Sequence, residues 1–457
     1  MGGPWQTFAW AAATIFMISL DATVVVAAFP ALMESFPGVS APVISWAING
    51  YSIIFAALLV PFGRMVDRVG ARRSFLIGLV GFTGGSAASA LAPSAEWLTA
   101  ARVLQAIGAA LASPATLALI LGAFPARERS RVAGLWSAVG ALAAALGPLI
   151  GSVLIDLFSW RSIFLINLPI GLVVLGSGWK DGHGAVPPLA RVRFDPLGTL
   201  LLVAGVSALA GGLSNAGGHD STLALVSIAS GMILLIFFAF WARRRPDAAV
   251  DFELFASPEY RWASAAMFML GVAFGMMFLT FYLFFRGVWL YPQSLAGLAA
   301  TPGPLTATLV AVAVSKQLAH RGAGRLIGVG AALFVASNLW LALMIRIRPD
   351  YVGTWLPGQI LGGVAIGIML PSLTGKAISA LSPHQWGVGG AVTNALRQLG
   401  SALGVAAAVA LVGEAMLEVG PFRLVYWSLA AVGAVIALLS IPLWNRRPGV
   451  QDFQASL

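Results

Sequence analysis

Apolar residues in this chain run in long, nearly unbroken blocks, and the short stretches between blocks gather glycine, proline and arginine. A block of about 20 predominantly apolar residues, wound as a helix, spans the hydrocarbon core of a bilayer. Fourteen such blocks are predicted as helices, near residues 7–31, 43–63, 74–93, 98–122, 132–155, 162–179, 196–214, 221–241, 262–285, 294–315, 326–345, 354–375, 389–413 and 423–444. The pattern predicts an all-α membrane protein.

Composition agrees. The 457 residues are 59% hydrophobic and 10% charged, with a mean hydropathy of +0.89, whereas globular chains are about 45–50% apolar and about 25% charged. A soluble enzyme and a disordered scaffold are excluded. The net charge of +10 suits either nucleic acid or a membrane surface, and the positions of the bases decide for the membrane. Of 27 Lys and Arg, twenty fall in the loops that share a side with both termini and five in the loops opposite, with Arg102 and Arg397 inside predicted helices. Basic loops are retained in the cytoplasm, so both termini are expected there and the helix count is even. The chain lacks cysteine, which excludes disulfides and thiolate chemistry. Met1-Gly2-Gly3-Pro4-Trp5-Gln6 carries no positive side chain ahead of the first block, so that block reads as a retained helix rather than a cleaved leader.

Two segments echo each other. Gly70, Ala71, Arg73 and Gly78 match Gly322, Ala323, Arg325 and Gly330 at an offset of 252, and Trp97-Leu98 matches Trp355-Leu356 at 258. Helices two to four then correspond to helices ten to twelve. The expected organisation is a six-helix bundle over 1–180, a linker with two extra spans over 181–245, and a second six-helix bundle over 246–457. Internal repeats with a site at their interface are the hallmark of secondary transporters.

Asp21 lies about halfway along the first block. A charge at bilayer mid-depth costs about 2.5–3.5 kcal/mol on insertion scales, so it faces a cavity or a partner. Its carboxylate is a candidate proton carrier; a structural ion pair is the plainer reading. Arg102 sits near the outer end of helix four with Gln105 one turn deeper on the same face. It reads as a cation facing Asp21, or as a side chain that snorkels to the interface beside Trp97. Arg397 is deeper in its helix, available for substrate contact or structure.

Gly63-Arg64-Met65-Val66-Asp67-Arg68-Val69-Gly70-Ala71-Arg72-Arg73 makes a tight link between helices two and three. Asp67 among four arginines can cap a helix N-terminus or pair across the bundle, a latch for the cytoplasmic side; plain topology signal is the alternative. Helix five carries Gly134, Gly140, Gly147-Pro148 and Gly151. Residues 140, 147 and 151 share a face that another helix can approach closely, and Pro148 removes one hydrogen bond and invites a bend.

Together these residues resemble the fourteen-helix drug:proton antiporter branch of the major facilitator superfamily, over nearly the whole chain. Gly63 to Arg73 resembles the superfamily's helix 2–3 loop motif. Arg102, Gln105 and Gly108 resemble a helix-four motif tied to proton transfer, and Gly134, Gly147-Pro148 and Gly151 a helix-five motif tied to antiport. Asp21, Thr23 and Pro30 resemble the first-helix motif of this branch, and Trp160 to Pro169 adds a further similarity. Val26 stands where the family usually has Asn, Ala143 and Ser152 where helix five usually has Gly, and Ala71 where the loop usually has a base.

The resemblance implies proton-coupled export of amphipathic organic compounds, such as drugs or antibiotics, by alternating access, with Asp21 and Arg102 coupling the proton. Cavity candidates are Asn49, Tyr51, Gln105, Asn167, Tyr282, Asn338, Gln359, Asn394, Arg397 and Gln398. With one deep acid, neutral or weakly ionised substrates are favoured over multivalent cations. The expected setting is a bacterial cytoplasmic membrane, as a monomer without cofactor, metal or nucleic acid. An uptake system or facilitator on the same fold is one rival. A membrane-embedded enzyme is another, but His183, His219, His320 and His384 are scattered through loops without metal-ligand spacing. No Gly-x-x-x-x-Gly-Lys-Ser/Thr loop occurs, so ATP is not the expected driver.

Overall fold

The computed structural model describes residues 3–178, 195–216, 221–245, 248–317, 323–381, 385–412 and 415–444; some helical positions, Asp67 and Gly134 among them, are described for their backbone alone. The four histidines and Glu414 lie outside the described residues. Each apolar block falls on helix: α1 (Pro4–Ala27) with α2 (Phe29–Ser35), α3 (Ala41–Val69), α4 (Ala71–Ala90), α5 (Ala95–Ala123), α6 (Ala126–Leu157), α7 (Ser162–Leu165) with α8 (Asn167–Gly178), α9 (Pro196–Ser214) and α10 (Ser221–Arg243). The remainder are α11 (Pro258–Gly287), α12 (Gln293–Ala300) with α13 (Pro302–Gln317), α14 (Ala323–Met344), α15 (Leu356–Ser379), α16 (Trp386–Val412) and α17 (Val419–Ser440). No strand occurs among the described residues.

Three blocks expected as single helices are each interrupted once, and a proline explains each interruption. Proline has no N–H to donate to the carbonyl four residues back. Pro30, Pro169 and Pro302 would have bonded Val26, Leu165 and Leu298, and the helix breaks at Ala28, Ile166 and Thr301. Pro148 does not break its helix, because α6 is continuous from Ala126 to Leu157. Eleven helical spans among the described residues are each long and apolar enough to cross a membrane. The blocks on α4, α6 and α7–α8 fall short for visible reasons. Two arginines open α4, and the stretches of α6 and α7–α8 counted among the described residues, Leu142–Leu157 and Ser162–Gly176, are apolar but shorter than a full span.

The helices pack as two bundles, α1 with α3 to α8 and α11 to α17, joined where α3 meets α16, α6 meets α12 and α1 meets α11. The extra pair α9–α10 lies against α3 and α16, its Leu202, Val206 and Phe238 packed with Ile53, Ala57 and Ala402. Between lipid-exposed helices there is little hydrophobic drive, so close approach through small residues holds bundles together. A Cβ at Gly108 would lie 2.2 Å from the Phe82 nitrogen, and one at Gly271 would lie 2.1 Å from the Arg397 carbonyl oxygen. These contacts lock α4 on α5 and α11 on α16.

The face carrying the 63–73 link is hereafter the basic face. Near the opposite face the two bundles share one continuous core. Ala27, Phe29 and Ile44 pack there with Phe281, Phe285 and Trp289, and the Phe284 and Trp355 rings stack at 4.9 Å.

Candidate functional site: a buried carboxylate and guanidinium

Asp21 is fully buried inside the first bundle. Its Oδ2 is ion-paired with Arg102 Nη1. Its Oδ1 accepts hydrogen bonds from Gln105 Nε2 and from Asn167 Nδ2, both at 2.9 Å. Arg102 is buried too, so it does not snorkel. Its Nη1 also donates to Gln105 Oε1 at 2.8 Å and its Nε to the Ala47 carbonyl at 3.1 Å. The guanidinium carbon stands 4.0 Å from the centre of the Tyr51 ring and 5.6 Å from that of Phe164. Charge-assisted hydrogen bonds from several donors, with the cation over an aromatic face, are the conditions under which a buried pair is tolerated.

Local sequence explains the convergence. Arg102 and Gln105 are three apart on α5, hence on one face. Gly85 lets α4 press onto that turn, since a Cβ there would lie 2.6 Å from the Gln105 nitrogen. The break at Ile166 turns Asn167 inward, where its Nδ2 also donates to Ser86 Oγ at 3.0 Å and Ser86 donates to the Phe164 carbonyl at 2.9 Å. Helix α6 packs behind the carboxylate. A Cβ at Gly147 would lie 2.0 Å from Thr23 Oγ1, one at Gly151 2.3 Å from Val24 Cγ2, and one at Gly140 3.2 Å from Ser19 Oγ.

The structure divides the sequence-level candidates into three groups. Tyr51, Gln105 and Asn167 join Asp21 and Arg102 in the sealed cluster. Asn49, Tyr282, Asn338 and Gln359 are buried elsewhere. Asn338 donates to the Phe334 carbonyl one turn back on its own helix, and Gln359 Nε2 donates to the Ala300 carbonyl at 2.9 Å. That carbonyl would otherwise meet Pro304, which has no N–H, so Gln359 fills the break between α12 and α13. Among the described residues, Asn49 Nδ2 reaches only Ser45 Oγ, at 3.5 Å, while the Tyr282 hydroxyl, the Tyr51 hydroxyl and Asn167 Oδ1 make no hydrogen bond. The third group is Asn394, Arg397 and Gln398, half-exposed together on α16.

In the helix 2–3 link, Gly70 has φ of +95°, a conformation that favours glycine, and it lets α4 start one residue after α3 ends. Arg68 and Arg73 are exposed and Arg72 half-buried; Asp67, described for its backbone alone, gives no test of the latch. Arg64 makes a contact that the sequence did not announce, Nη1 donating at 2.9 Å to the carbonyl of Ala248 in the segment between α10 and α11. On the opposite face three contacts cross between bundles, also unannounced. Arg286 pairs with Glu34 at 2.8 Å, Asp156 Oδ2 accepts from the Ser294 N–H at 2.7 Å, and Gln293 Nε2 donates to the Ala27 carbonyl at 2.6 Å. The one available signal was that Glu34, Asp156 and Arg286 are among the few charges on that face.

Comparison with known proteins places this geometry. The model of the Major Facilitator Superfamily matches residues 11–405. The Methylenomycin A resistance protein of Streptomyces coelicolor is 32% identical over 395 residues, which cover 86% of this chain and 82% of that protein. Cephamycin export protein CmcT of Amycolatopsis lactamdurans is 31% identical over 434 residues, covering 93% and 88%. An inward open structure of the xylose transporter XylE from E. coli superposes with a TM-score of 0.67 at 13% identity, over 98% of this chain and 97% of that one. The paired bundles and the family match over most of the sequence lead to one assignment: the chain belongs to the major facilitator superfamily.

Proposed function

We propose that this protein exports small organic compounds against their gradient by exchanging them for protons, with the basic face in the cytoplasm. The observation that carries the reading is the Asp21–Arg102 pair: one carboxylate in the first span, held by three donors from α5 and α8. Relatives whose names record antibiotic resistance and export support the outward direction.

Asp21 takes up a proton from outside when the opposite face is open. A proton at Oδ2 displaces the Arg102 N–H already there, so loading loosens the cluster. Gly147 and Gly151 pack α6 directly on Thr23 and Val24, and α6 carries both Asp156 and Ser152, the latter against Gly297 of α12. A shift of α1 at Asp21 is thereby passed to the contacts that shut the opposite face. In the arrangement described here that face is shut, and Arg102 holds Asp21. Each pH unit supplies about 1.4 kcal/mol per proton, and each 100 mV about 2.3 kcal/mol per charge moved. One proton is a workable drive for one organic molecule.

The test is efflux from proteoliposomes under an imposed pH gradient. Asp21→Asn is expected to abolish uphill movement while sparing substrate binding, and Arg102→Ala to impair coupling. Wild-type pH-driven transport by Asp21→Asn would falsify the assignment of the carrier.

A further inference from the structure

Arg397 is a cation about halfway along α16 with no carboxylate against it among the described residues. Among the described residues its one side-chain hydrogen bond runs from Nη2 to Asn394 Oδ1 at 3.0 Å, and the ion pairs involve Arg102, Arg286 and Lys376 instead. A guanidinium carries five donors, and at this depth a charge without a partner costs several kcal/mol unless it meets water or a ligand.

The helix shows where those donors point. At about 100° per residue, Ala395, Leu399 and Ala402 form the face that packs with Ile53 and Ala57 of α3. Thr393, Gly400 and Gly404 form the face against α11, with Thr393 hydrogen-bonded to Tyr260 and both glycines against α11 backbone. Asn394, Arg397, Gln398 and Ser401 lie together on a third face between these two, and all four are half-exposed. Further along that face, towards the opposite side, Val405, Ala408 and Val412 are buried in the core shared by the bundles. The polar strip is therefore half-exposed as far as Ser401 and gives way to buried core from Val405 onward.

We infer that Arg397 anchors an anionic group of the transported molecule, so that the substrates are organic acids on an apolar body. This deepens the export reading above and rests on it. An organic cation at this strip would meet Arg397 with like charge. It would also find no free carboxylate at this depth among the described residues of the first bundle, because Arg102, Gln105 and Asn167 already occupy Asp21. Asn394 and Gln398 beside the guanidinium add amide donors for the rest of a carboxylate or acidic phenol. The inference replaces the expectation of neutral substrates drawn from the sequence. If one monoanion leaves for each proton entering, two charges cross per turnover, against one for a neutral compound.

The binding test uses the full chain in lipid nanodiscs and three probes of one shape: naphthalene-2-carboxylate, the neutral 2-carboxamide and the 2-naphthylmethylammonium cation. The carboxylate is expected to bind about tenfold or more tighter than the amide, as hydrogen bonds to a charged group warrant, and the cation weakest. Arg397→Gln should bring acid and amide to parity, while Arg397→Lys keeps the preference for the acid. Equal wild-type affinity for acid and amide overturns the inference, as does a ratio unchanged in Arg397→Gln. Should that variant fail to fold, the wild-type ranking and the Arg397→Lys ratio still decide. If proteoliposomes show no pH-driven movement of any probe, the export reading falls, while the binding ranking still decides separately whether Arg397 holds an anion.

Discussion

At the scale of single residues, the chemistry concentrates in a carboxylate whose two oxygens each meet a donor. Asn167 is the informative member, since it reaches Asp21 from α8 and also holds Ser86 on α4. Asn167→Leu removes one donor from a buried charge, at a cost of about 1.5–3 kcal/mol. Proton-coupled efflux in that variant is expected to fall about tenfold or more while downhill movement of the same compound persists. Measuring both modes in one vesicle preparation checks this. Equal losses in the two modes would mean that Asn167 supports the fold and not the coupling. Val26, where the family usually has Asn, is buried among apolar neighbours. The amide contacts to the carboxylate in this chain come from Gln105 on α5 and Asn167 on α8.

At the scale of elements, small residues set which helices touch. Gly147 and Gly108 pose different tests, because their neighbours differ in freedom to move. The atom nearest a Cβ at Gly147 is the end of the Thr23 side chain, whereas at Gly108 it is the Phe82 backbone. Overpacking of this kind costs about 1–3 kcal/mol, more where backbone must shift. Gly147→Ala is expected to reduce transport, and adding Thr23→Ala to restore it. Gly108→Ala is expected to lower folded yield and melting temperature, with no rescue by trimming the Phe82 side chain. Transport rates and thermal unfolding of the four variants distinguish these outcomes. Rescue of Gly108→Ala by Phe82→Ala would show that the α4–α5 contact is softer than its geometry.

At the scale of the whole molecule, the opposite face is closed by Glu34–Arg286, by Asp156 on the Ser294 N–H and by Gln293 on the Ala27 carbonyl. Glu34 is 66% exposed, and an exposed pair contributes about 1 kcal/mol or less. Glu34→Gln alone is therefore expected to change transport little. A cross-link there is different in kind, because it forbids the open state. The chain has no cysteine of its own, so Glu34→Cys with Arg286→Cys gives a clean double variant. Oxidation should stop transport and reductant should restore it. Undiminished transport by the oxidised, fully cross-linked protein would mean that the two bundles do not part on this face. Labelling of single cysteines placed at Arg68 or Arg73 tests orientation, and reagent entering only from the cytoplasm is the expected result.

The sequence by itself determined the class of the molecule. Long unbroken apolar blocks satisfy their backbone in lipid as helices, so the order of the helical blocks, the basic face and the isolation of Asp21 could be read residue by residue. Motif spacing on α5 also placed Arg102 and Gln105 on one face, because helical periodicity is local. Only the tertiary structure decided what meets what. Asn167 and Tyr51 belong with the buried ion pair, Gln359 fills the carbonyl that Pro304 leaves open, Arg64 reaches the Ala248 carbonyl, and Arg397 stands without an acid beside it among the described residues. Those pairings join residues dozens to hundreds of positions apart. They depend on helix contacts set by glycines and proline breaks, and no periodicity within one span encodes them.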